Sequence, residues 1–395
     1  MSRAELAEEK TMRRIAILVE YPTVNGGENS ILAALSYLLN RKLPEAEFEF
    51  CVLGPSRGAM ADQVSKLGIP ITELNLFDDS GIRLPRDLAI PRLLDAIENS
   101  GACLVHGNSL AMGRLLGAAS REHTQLVATS HLRDIMKLSK AAVSDLNALR
   151  RVVAVSKATL QFHFGQGLDE SVGAVIHNGI DAEQFAADVS SRLQIRDELK
   201  IPSDAPVLIT VGQIGLRKGL DTLAQVAKKL SADHRGIHWL LAGERFSQKD
   251  ESVEFEATVL REFASCEPAL KLHRLGYRED IPELMQAADV LVHGARQEPL
   301  GRVLLEGAAS GVPIVATDVG GTAEILTDGE SALLAPPDSV SAIAEAVSRL
   351  LTDEGLRTQF ASAAHRRICA DFGIARSAGR LLSIWELVLA EAESN

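Results

Sequence analysis

Two glutamates, Glu298 and Glu306, stand eight residues apart in a stretch that reads Glu298-Pro299-Leu300-Gly301-Arg302 and continues into an apolar segment. Ionised carboxylates accept hydrogen bonds and donate none, so their natural partners in a binding site are hydroxyl groups. An apolar run, Val290 to Val292, precedes the pair, and a second, Ile314 to Thr317, follows it into Gly320-Gly321. The spacing predicts a strand, a loop carrying Glu298, a helix opening near Gly301 that carries Glu306, and a second strand. Unpaired N–H groups and the helix dipole make such an N-terminus a site for anions. Hydroxyls beside a phosphate are the chemistry of a nucleotide sugar.

Three further places carry reactive residue types. Gly26-Gly27 follows the run Ile15 to Val19 and precedes a helical pattern, so backbone can approach a ligand closely there. The turn lacks the G-x-G-x-x-G spacing of a dinucleotide fingerprint, which counts against a dehydrogenase. His131 ends the run Leu126 to Ser130, and His106 ends the run Cys103 to Val105. Both fall at the carboxyl ends of strands, where open α/β sheets bind ligands.

The elements that must position these residues are legible as short apolar runs alternating with helical patterns, the βαβ rhythm of parallel sheets covered on both faces. In the first half the runs are Ile15 to Val19, Phe48 to Leu53, Ile71 to Leu76, Cys103 to His106, Leu126 to Thr129, Val152 to Val155 and Val175 to His177. In the second half they are Val207 to Val211, His238 to Leu241, Leu270 to Leu275, Val290 to Val292 and Ile314 to Thr317. The fold class is therefore α/β, with two doubly wound, Rossmann-like domains. The seam is expected just after the turn Asn178-Gly179-Ile180-Asp181, giving domains over 1–182 and 183–374. Residues 1–12 read as a leader. A last helix, 375–395, carries apolar residues on more than one face and so needs burial on two sides.

With these residues in view, the chain resembles the retaining family-4 glycosyltransferases of the GT-B class. The resemblance rests on Glu298-Pro299-Leu300-Gly301, Glu306-Gly307-Ala308, Gly311-Val312-Pro313-Ile314-Val315-Ala316 and Gly320-Gly321. It implies two domains facing a central cleft, with the C-terminal helix packed back on the first. It implies a donor site in which Glu306 accepts from the ribose hydroxyls and Glu298 contacts hydroxyls of the transferred sugar. The backbone from Pro299 through Leu300 and Gly301 to Arg302 would face sugar and phosphate. Val211 to Gly219 resembles the family's diphosphate segment and puts Lys218 where the family has its lysine. Gln213 stands where many members carry arginine, which leaves Arg217 or Arg302 to supply the missing charge. Gly26 and Gly27 match a loop over the diphosphate, His131 a histidine near sugar and leaving group, and Tyr277-Arg278 a loop beside the base. His106 is a weaker candidate for the acceptor side, and Asn178 reads as a hinge or cleft residue. His131, Glu298 and Lys218 form the expected catalytic set.

The resulting expectation is a metal-independent retaining hexosyltransferase that needs no cofactor and uses a nucleotide sugar, UDP-linked by preference, as co-substrate with an acceptor hydroxyl. Another GT-B enzyme, such as an epimerase, and a catalytically silent nucleotide-binding module are the alternatives. The formal net charge of −12 argues against broad nucleic-acid binding. Four cysteines without CxxC spacing suggest neither a disulfide framework nor a zinc site, so a reducing cytoplasm fits. No apolar run is long enough to span a bilayer, and the charged start does not read as a signal peptide. Peripheral membrane contact and oligomeric state stay open.

Overall fold

The computed structural model describes residues 12–40, 48–186 and 188–394. Apart from Met12, the expected leader lies outside them. The chain divides into two compact units: Met1–Val155, Thr159–Gly179 and Ile374–Asn395 form one, and Ser156–Ala158 with Ile180–Gly373 the other.

Among the described residues the first unit holds a seven-stranded parallel sheet of β1 (Arg13–Leu18), β2 (Phe48–Gly54), β3 (Ile71–Glu73), β4 (Leu104–Gly107), β5 (Ala128–Leu132), β6 (Arg151–Ala154) and β7 (Gly173–Val175). The strand order is β3-β2-β1-β4-β5-β6-β7, with a reversal between β1 and β4. Successive side chains of a strand point to opposite faces, and β1 feeds a core on each. Ala16 and Leu18 join one cluster, with Leu116 and Leu146. Ile15, Ile17 and Val19 join the other, with Ile31, Leu35 and Trp385.

The second unit has a six-stranded parallel sheet of β8 (Val207–Val211), β9 (Ile237–Ala242), β10 (Leu270–Gly276), β11 (Val290–His293), β12 (Ile314–Thr317) and β13 (Leu333–Ala335), in the order β10-β9-β8-β11-β12-β13. Here the order reverses between β8 and β11. Ligands bind outside the carboxyl ends of strands at such reversals. Gly26-Gly27 follows β1, Lys218 follows β8 and Glu298 follows β11, so these three loops leave their sheets at a reversal, whereas Tyr277-Arg278 follows the edge strand β10.

The sequence expectations need correction at several points. The strand expected over Leu126 to Thr129 runs instead from Ala128 to Leu132, so His131 is part of β5 and pairs with Val153 of β6. The strand β13, Leu333–Ala335, was not among the expected runs. The helix Ile374–Glu393 is not buried on two sides: Ala378, Leu381, Trp385, Val388 and Leu389 form one buried stripe, whereas Leu387 is 49% exposed. One wide stripe is what a helix on a sheet face needs. In addition Ser156–Ala158, expected with the first domain, belongs to the second unit, where Lys157 and Ala158 amides donate to the Glu324 carboxylate.

Candidate active site

In the second unit, β8 runs into a short helical turn, Leu216–Lys218, and β11 into the loop that carries Glu298. The two loops touch at glycines. Gly219 has φ 64°, and a Cβ there would lie 1.9 Å from the Gly294 carbonyl oxygen. Only glycine permits both the left-handed backbone and the approach. Arg296 ties the same loops, its amide donating to Arg217 O (2.9 Å) and its guanidinium to Leu216 O (2.8 Å) and both Asp221 oxygens (2.8 and 2.7 Å). Nothing in the sequence pattern singled Arg296 out.

This arrangement delivers Lys218 Nζ to within 2.5 Å of Glu298 Oε2. The same oxygen accepts from His293 Nε2 at 2.9 Å. Glu298 Oε1 accepts from no group among the described residues. Glu298 is 6% exposed, and burial alone would raise its pKa, but the Lys218 charge and the His293 hydrogen bond outweigh it and hold the carboxyl well below the usual range. His293 is itself lowered, chiefly by burial, so it donates as a neutral imidazole. His293 was missed in the sequence; its signal was a histidine at the end of a buried strand, five residues before the first acid.

Glu298 leads into the helix Arg302–Ala309 through Gly301, whose φ is 103°. A Cβ on Gly301 would lie 3.3 Å from Glu298 Cγ, so the glutamate stem lies beside the helix entry. Leu300 is buried, and the Pro299 carbonyl accepts from Ser156 Oγ at 2.5 Å. Gly321 packs against Pro299 and Leu300, its amide donating to Glu298 O at 2.9 Å. Glu306 is half-buried and its Oε1 accepts from Arg302 Nε at 2.7 Å. Burial raises Glu306 despite the Arg302 charge.

Gln213 and Arg217 are exposed on the loop after β8. Tyr277 is exposed after β10, while the Arg278 guanidinium is taken up by Asp280 (2.6 Å from Nε) and Glu198 (2.9 Å from Nη1). Arg278 is therefore a local clamp, and its loop can offer a ligand backbone rather than that side chain.

In the first unit, Gly26 opens the helix Gly26–Asn40 and a Cβ on it would meet nothing within 4 Å. A Cβ on Gly27 would lie 3.0 Å from Arg133 Cδ. Arg133, also missed, donates from Nη1 to Asn178 Oδ1 (2.8 Å) and from Nη2 to Asn108 Oδ1 (3.1 Å), so Asn178 anchors a cation beside the Gly-Gly turn. His131 is 4% exposed, with Nδ1 2.6 Å from His106 Nε2. His106 is fully buried, and its Nδ1 meets Thr129 Oγ1 at 2.8 Å and Trp385 Nε1 at 3.3 Å. The acceptor-side expectation for His106 is thereby corrected: both its ring nitrogens are committed. Burial, then the Arg133 charge, pulls His106 down to about 3, and the same causes take His131 well below its ordinary value.

All four cysteines are unpaired, and among the described residues no helix is long and apolar enough to cross a membrane.

The second half matches the family described as "Glycosyl transferases group 1" over residues 191–367, and the first half "Glycosyltransferase Family 4" over residues 25–184. The lipopolysaccharide core biosynthesis glycosyltransferase LpsE of Rhizobium meliloti is 29% identical over 177 residues, covering 45% of this chain and 48% of the relative. Alpha-D-kanosaminyltransferase of Streptomyces kanamyceticus is 26% identical over 216 residues, 55% of this chain and 54% of the relative. The chain thus spans about half the length of the curated relatives it matches. The crystal structure of Anabaena HepE in complex with UDP-glucose superposes with a TM-score of 0.80 over 94% of this chain and 99% of that one, at 21% identity, a likeness of fold. With both halves matched and this fold shared, the chain belongs to the family-4 glycosyltransferases of the GT-B class.

Proposed function

We propose that the protein moves a sugar from a nucleotide-diphosphate sugar, with uridine as the base, to an acceptor hydroxyl, retaining the anomeric configuration and using no metal. The observation that carries this reading is the clamp on Glu298, whose one oxygen is held by Lys218 and His293 while the other stays open. Lys218 and His293 hold this carboxylate ionised and occupy one of its oxygens, so it meets a ligand as an acceptor-only group of reduced basicity. Glu298 therefore positions the sugar hydroxyls and opposes the positive charge that grows at the anomeric carbon, rather than forming a covalent intermediate. Lys218 faces the charge of the departing diphosphate, helped by the amides from Leu300 to Arg302 and by Arg217. Arg302 also neighbours Glu306, which takes the ribose hydroxyls. His131 donates toward the sugar and diphosphate. The UDP-glucose bound to HepE and the glycosyltransferase names of the curated relatives support the donor class. Four unpaired cysteines accord with a cytoplasmic setting.

Nucleotide release from a panel of nucleotide sugars, with NMR of the product's anomeric proton, tests the reading. Transfer or slow hydrolysis of one UDP-sugar with retained configuration is expected. Tight nucleotide binding without turnover on any donor would favour the silent module, and an inverted product would remove retention.

A further inference from the structure

We propose that Trp385, on the helix Ile374–Glu393, acts through His106 as a positioning residue that fixes the proton of His131 on Nε2 and so makes His131 a standing hydrogen-bond donor. The proposal rests on the role given to His131 above, but its geometry lies wholly in the first unit.

An indole N–H can only donate. Trp385 Nε1 can act only as donor toward His106 Nδ1, 3.3 Å away, so Nδ1 presents its single lone pair, and the Thr129 hydroxyl 2.8 Å away then has to share that lone pair as a second donor. A neutral imidazole with a bare Nδ1 holds its proton on Nε2. His106 Nε2 lies 2.6 Å from His131 Nδ1, which must then accept. The remaining ring proton of His131 sits on Nε2, an atom with no partner among the described residues. Both rings are buried, and burial with the nearby Arg133 charge keeps them neutral, so the tautomer is the variable, not the charge.

The strands make this relay. His106 pairs in register with Thr129 across β4 and β5, and Thr129 and His131 alternate onto one face. Trp385 joins the core on one face of this sheet, its ring centroid 5.4 Å from that of His106 and 6.0 Å from that of Phe50. Without Trp385, Thr129 can turn its hydroxyl to accept from Nδ1–H. The relay then reverses, leaving His131 Nε2 bare toward an oxygen-rich ligand.

The test uses the full chain labelled with 15N in its histidines, whose ring shifts separate protonated from bare nitrogens. In the wild type, both His106 and His131 are expected as Nε2–H tautomers; Nδ1–H on either overturns the proposal without any variant having to fold. Trp385→Phe is expected to bring in the reversed tautomer, whereas Thr129→Val, which leaves the indole donor, is not. Unaltered tautomers in Trp385→Phe would equally overturn it. With a UDP-sugar donor, Trp385→Phe should lower kcat about tenfold with KM little changed, the size of one lost hydrogen bond. A shifted tautomer with unaltered transfer would uphold the relay and instead remove His131 from the donor reading.

Discussion

Lys218 Nζ and Glu298 Oε2 lie 2.5 Å apart, the ammonium from the turn after β8 and the carboxylate from the loop after β11. Their side chains are 16% and 8% exposed, so each is the other's replacement for water. Removing one partner of such a pair leaves an uncompensated buried charge. Lys218→Met should cost about 3 kcal/mol of stability by urea denaturation, and Lys218→Met with Glu298→Gln clearly less than the sum of the two singles. Kinetically, Lys218→Met should lower turnover more than donor affinity, because leaving-group charge peaks in the transition state. Equal losses in both would argue for simple binding.

Acid should expose the clamp as well. Glu298 has a lowered native pKa against an ordinary value of 4.5, so its contribution to stability is complete above that value and declines as pH falls toward the native one. Urea midpoints measured down the acid limb should therefore fall less steeply for Glu298→Gln than for the wild type. Parallel limbs would mean that the carboxylate is not held as described.

Glu306 has the opposite sign. Its native pKa is raised, so the ionised form costs stability near neutrality, and the cost fades as pH falls through the raised value. Glu306→Gln should match or exceed the wild type in stability at neutral pH while weakening UDP binding by about 1–3 kcal/mol in calorimetry. Unchanged UDP affinity would take Glu306 out of the ribose role.

Gly219 should tolerate no side chain. Gly219→Ala meets the Gly294 carbonyl oxygen at 1.9 Å and a φ of 64°, and neither loop backbone can yield without moving Lys218. A loss of at least about 1–2 kcal/mol is expected, together with loss of transfer. Full activity in a stable Gly219→Ala would show that the loop contact does not set the Lys218 position.

Gly26 and Gly27 should separate cleanly. An alanine Cβ at Gly26 meets nothing within 4 Å, whereas at Gly27 it meets Arg133 Cδ at 3.0 Å, and that side chain can move. Both variants should stay within about 0.5 kcal/mol of the wild type. Only Gly27→Ala should impair transfer, by displacing the guanidinium; equal activity in the two would show that the position of Arg133 does not matter to transfer.

The sequence by itself determined the two doubly wound sheets, because strands buried on both faces read as unbroken apolar runs and Gly and Pro punctuate their ends. It also singled out Glu298, Lys218 and Glu306 as candidates for a donor site, because each lies in a contiguous motif. Tertiary structure decided what holds them. Lys218 and Glu298 are eighty residues apart along the chain and meet only because β8 and β11 are neighbours and Gly219 admits Gly294. His293, Arg296 and Arg133 became legible only through partners on other strands and loops. The fate of the two histidines was decided the same way. His106 and His131 look alike in the sequence, each a histidine at an apolar run's end, but strand pairing and a tryptophan 279 residues along the chain from His106 occupy both ring nitrogens of His106 and leave His131 Nε2 without a partner among the described residues. Local pattern reports which residues lie on an element, while the direction of a proton depends on contacts between elements that no local pattern contains.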